Sequence, residues 1–161
     1  MPSFQEHINQ ARKNLTFLVQ INNKIDNYWD WQVTVAFYSD LHIIDGHVSK
    51  TTSQHYRSHE DIRNAINPYN KMSPASLDEE SYKSYEKLFK LSRRSRYLIN
   101  EKHSHPSDKA NFTFEKHFAK AIRHLDKLMV KFNSLYSLNY PSLEIKSLQL
   151  IQEELFNFKI I

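Results

Sequence analysis

The sequence contains no cysteine, a single glycine and only five prolines among 161 residues. Without cysteine, neither a disulfide framework nor a cysteine-ligated zinc site can form, and this composition suits the reducing cytoplasm. Strand-rich folds need many tight turns, so the scarcity of glycine and proline favours long helices joined by few turns. There is no signal-peptide core at the N-terminus, and no apolar run approaches the roughly 20 residues of a membrane span. We therefore expect a cytoplasmic protein with no membrane contact.

The length of the chain suits one domain with one hydrophobic core, so we expect residues 1–161 to form a single domain. The formal net charge of +4 at pH 7 indicates only a mild preference for polyanions. Nine histidines are a high count for this length, and they are candidates for chemistry near neutral pH.

The stretch 29–48, WDWQVTVAFYSDLHIIDGHV, is the most apolar part of the chain. At helical spacing, one face carries Val33, Phe37, Leu41, Ile44 and Val48, and the adjoining face carries Trp31, Val35, Tyr38, His42 and Asp45. Apolar residues on two neighbouring faces predict a helix that is buried on most sides at the centre of a bundle. We expect Asp30 to cap it and the segment between Gly46 and Ser49 to end it.

Three polar side chains on this stretch, those of Tyr38, His42 and Asp45, share its second face. They form either a hydrogen-bonded group inside the core or a polar cluster that opens into a binding groove. Buried polar groups are normally satisfied by internal partners, so both interpretations fit the spacing.

The first helix is predicted over residues 4–27, where apolar residues recur at steps of three, four and seven. Ser3 and Glu6 have the spacing of a capping box at its start. Asn22 and Asn23 interrupt the apolar seam, and we expect them to lie near the solvated end of the helix.

A short helix is predicted from Ser58, a long helix from about Asp78 and a last long helix capped by Thr113. Four long amphipathic helices predict an all-α fold, an antiparallel four-helix bundle with a short extra helix after the second helix. The bundle core spans residues 4–137, and a C-terminal helical appendage follows at 141–161.

Several motifs lie on these predicted helices in a fixed order. An aromatic–tyrosine pair precedes a histidine by four residues, a Ser-His pair opens the short helix, and the next helix ends in arginines and a tyrosine. The residues are Phe37, Tyr38, His42, Ser58, His59, Arg93, Arg94, Arg96 and Tyr97. In these motifs the chain resembles the HEPN superfamily of small α-helical bundle proteins over about residues 30–135.

Many HEPN proteins are metal-independent ribonucleases, often toxins paired with a nucleotidyltransferase-like antitoxin. Their signature, an arginine followed after four to six residues by a histidine, is matched by Arg96 and His103, with Tyr97 where the family usually has a polar residue. The resemblance implies a homodimer without cofactor, in which Arg96 holds phosphate and His103 is the general base or acid. The residues alone also allow Arg96 to cap helix carbonyls and His103 to be an ordinary loop histidine.

A basic patch lies at the end of the third long helix, with Arg93, Arg94, Arg96 and Lys102 around Tyr97. Such a patch either binds the phosphate backbone of a nucleic acid or is a solvated helix end. We expect binding contacts from Tyr38, His42, Asp45, His59, Arg93, Arg94 and Tyr97. RNA or a nucleotide is the predicted ligand; the alternative is a catalytically silent module for interaction or dimerisation.

A metal site built from His42, His47, His55 and His59 with Asp45 is not expected. His42 and His47 are five residues apart, which turns their side chains to different faces of a helix. Zinc needs three or four nitrogen or oxygen ligands in a fixed tetrahedron, which these spacings do not supply. We therefore predict no metal.

Overall fold

The computed structural model describes residues 1–99 and 110–161, and these residues are mostly helical, as predicted. The helices are α1 (Phe4–Lys24), α2 (Trp29–Thr52), α3 (His59–Ile66), α4 (Glu79–Tyr97) and α5 (Glu115–Tyr136). Strands β1 (Leu143–Ile145) and β2 (Phe158–Ile160) follow, with one 3₁₀ turn at Gln152–Glu154 between them. None of the helices in this described part combines the length and apolar character required to cross a membrane.

Helix α2 is the central element, because α1, α4 and α5 all pack against it and α4 also packs against α5. Val33, Phe37 and Ile44 on its first predicted face are fully buried, which confirms that face.

Trp31 was expected on the second buried face of α2, and this expectation was wrong, since its side chain is 62% exposed. Trp29 packs its ring on Phe118 of α5 at 5.4 Å. Two residues along a helix are about 200° apart, so Trp31 must point away from α5.

Helix α1 has the predicted capping box at Ser3 and Glu6. The expectation that Asn22 lies at a solvated end was wrong, because its side chain is buried. Its Nδ2 donates to Gln32 Oε1 at 2.9 Å and to the carbonyl of Lys146 at 3.1 Å, and its Oδ1 accepts from the Lys146 amide at 2.6 Å. Asn23 Nδ2 donates to the carbonyl of Glu144 at 2.8 Å. The two asparagines therefore hold β1 against the end of α1.

Helix α2 continues through Gly46 to Thr52, past the end predicted from the glycine. Tyr28 occupies its N-cap position, and Asp30 lies in its first turn rather than at the cap. A Cβ atom on Gly46 would lie 3.3 Å from Ile8 Cδ1 and 3.4 Å from His7 Cβ. The glycine thus permits close approach of α1 to α2, and it brings His7 beside α2.

The starts of α3 and α4 agree with those predicted at Ser58 and near Asp78, and both residues occupy N-cap positions. Thr113, in contrast, does not cap α5, whose N-cap position is Phe114. The Phe114 amide donates to the ring Nδ1 of His117 at 2.9 Å, so a histidine side chain performs the capping. The hydroxyl of Thr113 instead lies 3.0 Å from that of Ser95 on α4.

The predicted C-terminal helical appendage is wrong. Residues 141–161 contain the two strands, paired in parallel with Leu143 opposite Phe158 and Ile145 opposite Ile160. Leu143 and Ile145 are buried with a half-buried residue between them, which is the two-residue period of a strand.

Candidate functional site

Most of the predicted site residues fall into two groups beside α2. We call the first the arginine–aromatic cluster; it consists of Phe37, Tyr38, His59, Phe89, Arg93, Arg96 and Tyr97. We call the second the histidine–aspartate cluster; it consists of His7, His42, Asp45 and His55. Tyr38 and His42 belong to different clusters, although they are one helical turn apart on α2.

Arg96 is the centre of the arginine–aromatic cluster. Its guanidinium lies 5.7 Å from the ring centroids of Phe37 and Tyr38 and 5.1 Å from that of Tyr97. Its Nη1 donates to the Tyr38 hydroxyl at 3.3 Å, and its Nε donates to the Ser92 carbonyl one turn earlier at 3.4 Å. Within residues 1–99 and 110–161, no carboxylate forms an ion pair with Arg96. Among the described residues, Arg96 therefore faces aromatic rings rather than an acid.

His59, the first residue of α3, lies between two aromatic rings. Its centroid is 5.5 Å from that of Phe37 and 5.6 Å from that of Phe89. Burial, and then the positive charge of Arg96, lower the pKa of His59 below its usual 6.5. Its Nδ1 is buried and has no hydrogen-bond partner in the described part of the chain. The imidazole is thus neutral at pH 7 and has an unused polar atom beside Arg96.

The remaining arginines of the predicted patch differ in their contacts. Arg93 lies over the Phe89 ring at 5.9 Å, so it belongs to the cluster. Arg94 instead donates through Nε and Nη2 to the carbonyl of Phe112, at 3.0 and 2.8 Å. That contact ties the segment before α5 to α4, so Arg94 acts as a structural residue here. His103 and Lys102 lie outside the described residues.

The histidine–aspartate cluster is formed where α1 meets α2. His7 Nδ1 lies 3.4 Å from His42 Nδ1, and ligand atoms of His7, His42 and Asp45 all lie within 4.8 Å of one another. The ring of His55, from the segment after α2, stacks on that of His7 with centroids 5.4 Å apart. His7 and Asp45 are only 4% and 8% exposed. His42 is half-buried, so the cluster reaches the surface through this residue.

Burial determines the charge state of this second cluster. It lowers the pKa of His7 to about 4, with smaller contributions from His42 and His55, and it lowers the pKa of His42 as well. Burial raises the pKa of Asp45 to about 7. At neutral pH both imidazoles are therefore neutral, and each has one ring nitrogen with a free electron pair.

The other histidines that were considered as metal ligands from the sequence lie outside this cluster. His47 Nε2 donates to the carbonyl of Ala75 at 3.2 Å, and its Nδ1 accepts from the Tyr136 hydroxyl at 2.6 Å. His47 is thus a core histidine with both ring nitrogens satisfied. His7 was not among the predicted site residues; it lies between Phe4 and Ala11 on the apolar stripe of α1. A histidine on such a stripe is the signal that would have identified it.

Replacing His124 with glutamine is expected to reduce the loss of stability in acid. Burial, assisted by nearby lysines, lowers the pKa of His124 from 6.5 to about 4. The unfolded chain therefore takes up a proton at higher pH than the folded protein does, so the free energy of unfolding falls as pH drops through this window. We expect His124→Gln to recover about 1–2 kcal/mol of that loss, allowing for partial exposure. Urea unfolding near pH 7 and near pH 4.5 measures the difference; equal acid losses in both proteins would contradict it.

Comparison with known proteins does not identify either cluster. No family model matches the chain, and neither a curated protein nor a solved structure is found to be similar to it.

Proposed function

We propose that this chain is a HEPN-like helical protein that binds RNA or nucleotides through the arginine–aromatic cluster. Its four long helices are assigned to the antiparallel four-helix bundle typical of that superfamily. The observation that supports this function best is the position of Arg96 on the rings of Phe37, Tyr38 and Tyr97, without a carboxylate partner in the described residues.

The cluster has the two kinds of group that nucleic acids require. A guanidinium is a planar fork of donors that matches the oxygens of a phosphate, and it is more weakly hydrated than an ammonium group. Exposed aromatic rings stack on bases regardless of sequence, and Tyr97 is exposed beside Arg96. His59 adds a neutral imidazole, whose pKa is lowered in part by the positive charge of Arg96. Phosphate binding with base stacking is the chemistry that this arrangement supports.

Metal-independent cleavage is the reaction proposed for this site. Arg96 would stabilise the charge on the phosphate, and His103 would move a proton as general base or acid. A homodimer would bring two such pairs together in the cytoplasm, and a nucleotidyltransferase-like antitoxin is the proposed partner. Arg93 and Tyr97 would position the RNA on either side of Arg96.

The second candidate is a catalytically silent module for interaction or dimerisation. It is favoured by the apolar side chains around the strands, since Leu148 is 95% exposed and Phe156 is 83% exposed. Large exposed apolar side chains in one region are typical of surfaces that bind another protein.

Replacing Arg96 with alanine is expected to weaken binding of single-stranded RNA by about tenfold or more, because a phosphate contact and a stacked cation are both lost. Fluorescence anisotropy of a labelled RNA at low and moderate salt measures the affinity. Arg96→Lys keeps the charge without the planar fork and should bind with intermediate affinity. Arg123→Ala removes the same charge from α5, where Arg123 pairs with Glu154, and should bind like the parent.

Equal affinity of the parent and Arg96→Ala for RNA would overturn the proposed binding site. Cleavage is tested separately, by incubating RNA with the protein in EDTA. Loss of cleavage in both Arg96→Ala and His103→Ala supports the nuclease. If RNA binding depends on Arg96 but the parent does not cleave RNA, the proposed nuclease activity is contradicted. The protein would then bind RNA without cleaving it.

A further inference from the structure

The histidine–aspartate cluster takes no part in the RNA chemistry proposed above, and it places three good metal ligands at one point. We propose that His7, His42 and Asp45 bind one divalent transition-metal ion of the zinc class between α1 and α2. Imidazole nitrogens with a carboxylate oxygen are a donor set that zinc and its neighbours in the first transition row accept.

The distance between the two histidines fits a shared ion better than a direct hydrogen bond. Their Nδ1 atoms are 3.4 Å apart. In a tetrahedral site with metal–nitrogen bonds of about 2.0–2.1 Å, two ligand nitrogens lie about 3.3–3.4 Å apart. A hydrogen bond between two ring nitrogens would be about 0.4–0.5 Å shorter. The two Nδ1 atoms are therefore already at the separation that one ion would impose.

The polar atoms of the cluster also lack other partners. His7 Nδ1 and His42 Nδ1 have no hydrogen-bond partner other than each other in the described part of the chain. The buried carboxyl group of Asp45 accepts no hydrogen bond and forms no ion pair within the same residues. Buried polar groups without partners are costly, and a divalent cation would satisfy the carboxylate and both Nδ1 atoms at once.

The framework around these ligands is held rigidly. His42 and Asp45 are three residues apart on α2 and therefore share a face. His7 faces them because α1 passes so close to Gly46 that a Cβ there would lie 3.4 Å from His7 Cβ. Ligand atoms within 4.8 Å of one another can converge by rotation of side chains, without movement of either helix. A preformed set of this kind binds metal with little loss of conformational entropy.

The site can be reached from solvent, and its three protein ligands leave one coordination position of the ion open. His42 is half-buried, so an ion can reach the cluster from solvent. Three protein ligands leave a fourth tetrahedral position for water, as in zinc sites that perform chemistry. His55 stacks on His7 and is not one of the three ligands.

The test uses untagged protein that has been stripped with EDTA and desalted, titrated with zinc chloride by calorimetry. We expect one zinc per chain, and we expect cobalt(II) to give the intense visible absorption of a tetrahedral site. His42→Ala and Asp45→Asn should each weaken zinc binding by at least tenfold, since loss of even an outer-shell partner weakens metal binding by about 10–100-fold. Zinc should also raise the melting temperature of the parent and not that of these variants.

His124→Ala is the matched control, because His124 is a half-buried histidine on α5 and not part of the cluster. It should bind zinc as the parent does. His42 is partly exposed and Asn is isosteric with Asp, so both variants should fold, which circular dichroism checks; they decide the question even if His7→Gln does not fold. Absence of stoichiometric binding by the parent, or parent-like binding by both variants, would overturn the site. Since no RNA is present, this result is independent of the proposed RNA binding.

Discussion

Replacing Phe37 with alanine is expected to lower the free energy of unfolding by about 3–5 kcal/mol. Its ring is fully buried in the centre of α2, with centroids 5.5 Å from His59, 6.2 Å from Tyr85 and 5.7 Å from Phe89. Alanine would leave a cavity at the junction of α2, α3 and α4, which the rigid helices can fill only in part. Since domains are stable by only about 5–15 kcal/mol, this single change removes a large share.

Urea unfolding followed by circular dichroism measures this loss. Phe17→Ala is the matched control, because Phe17 lies on α1 with an exposed ring and should change stability by less than about 0.5 kcal/mol. Phe37→Leu keeps much of the volume and should give an intermediate loss. A loss below about 1 kcal/mol for Phe37→Ala would show that α2 is not the centre of the core. Because Phe37 also lies under Arg96, the alanine variant should bind RNA more weakly even where it is folded.

Replacing Asp126 with alanine is expected to cost about 3 kcal/mol and to release the segment around β2. The Asp126 side chain is buried on α5. It accepts from the Phe156 amide at 3.0 Å and from the Asn157 amide and side chain at 2.7 and 3.0 Å. A hydrogen bond to a charged group contributes about 1.5–3 kcal/mol. The three donors are only partly buried, so water can replace part of what they lose, and the expected cost is smaller than the sum over three bonds.

Hydrogen exchange distinguishes this local release from global unfolding. In Asp126→Ala the amides of Phe156 and Asn157 should lose their protection, while those in the centre of α2 should retain theirs at low temperature. Glu153→Ala, an exposed acid in the 3₁₀ turn of the same segment, is the control and should leave exchange unchanged. Unchanged protection at Phe156 and Asn157 would contradict the role of Asp126.

The sequence was a good guide where local chemistry decides the structure. Ser3 and Ser58 identified the starts of α1 and α3, because their side chains accept from the first free amides of a helix. The acidic run that begins at Asp78 identified the start of α4, although Asp78 is its N-cap rather than part of its first turn. The apolar stripe of α2 correctly placed this helix at the centre. Gly46 was misread as a helix end, since the sequence alone does not reveal that another helix approaches it closely.

The C-terminal region was missed because its structure depends on distant partners. Each strand has only three residues, too few for a clear alternating pattern, and their parallel pairing is supported by Asn22 and Asn23 of α1. Isolated pairs of short strands are marginal in water. The predicted helical appendage at 141–161 was therefore locally reasonable but wrong.

The candidate site was predicted only in part. Tyr38, His59, Arg93, Arg96 and Tyr97 do come together, which their positions on three different helices did not require. His42 and Asp45 instead face His7, a neighbour that only the packing of α1 on α2 supplies. Arg94 is occupied by the Phe112 carbonyl. The pairing of Arg96 with His103 stays a prediction, as does membership of the HEPN superfamily.

The attachment of β1 to the end of α1 has a consequence for the order in which the chain assembles. The bonds from Asn22 to Lys146 and from Asn23 to Glu144 join positions 124 and 121 residues apart. Helices α2 to α5 all lie inside the loop that these bonds close. Closing so long a loop is entropically expensive in a disordered chain and becomes much cheaper once the intervening helices have condensed. We therefore expect the strand pair to form last during refolding, on a scaffold of helices that is already in place.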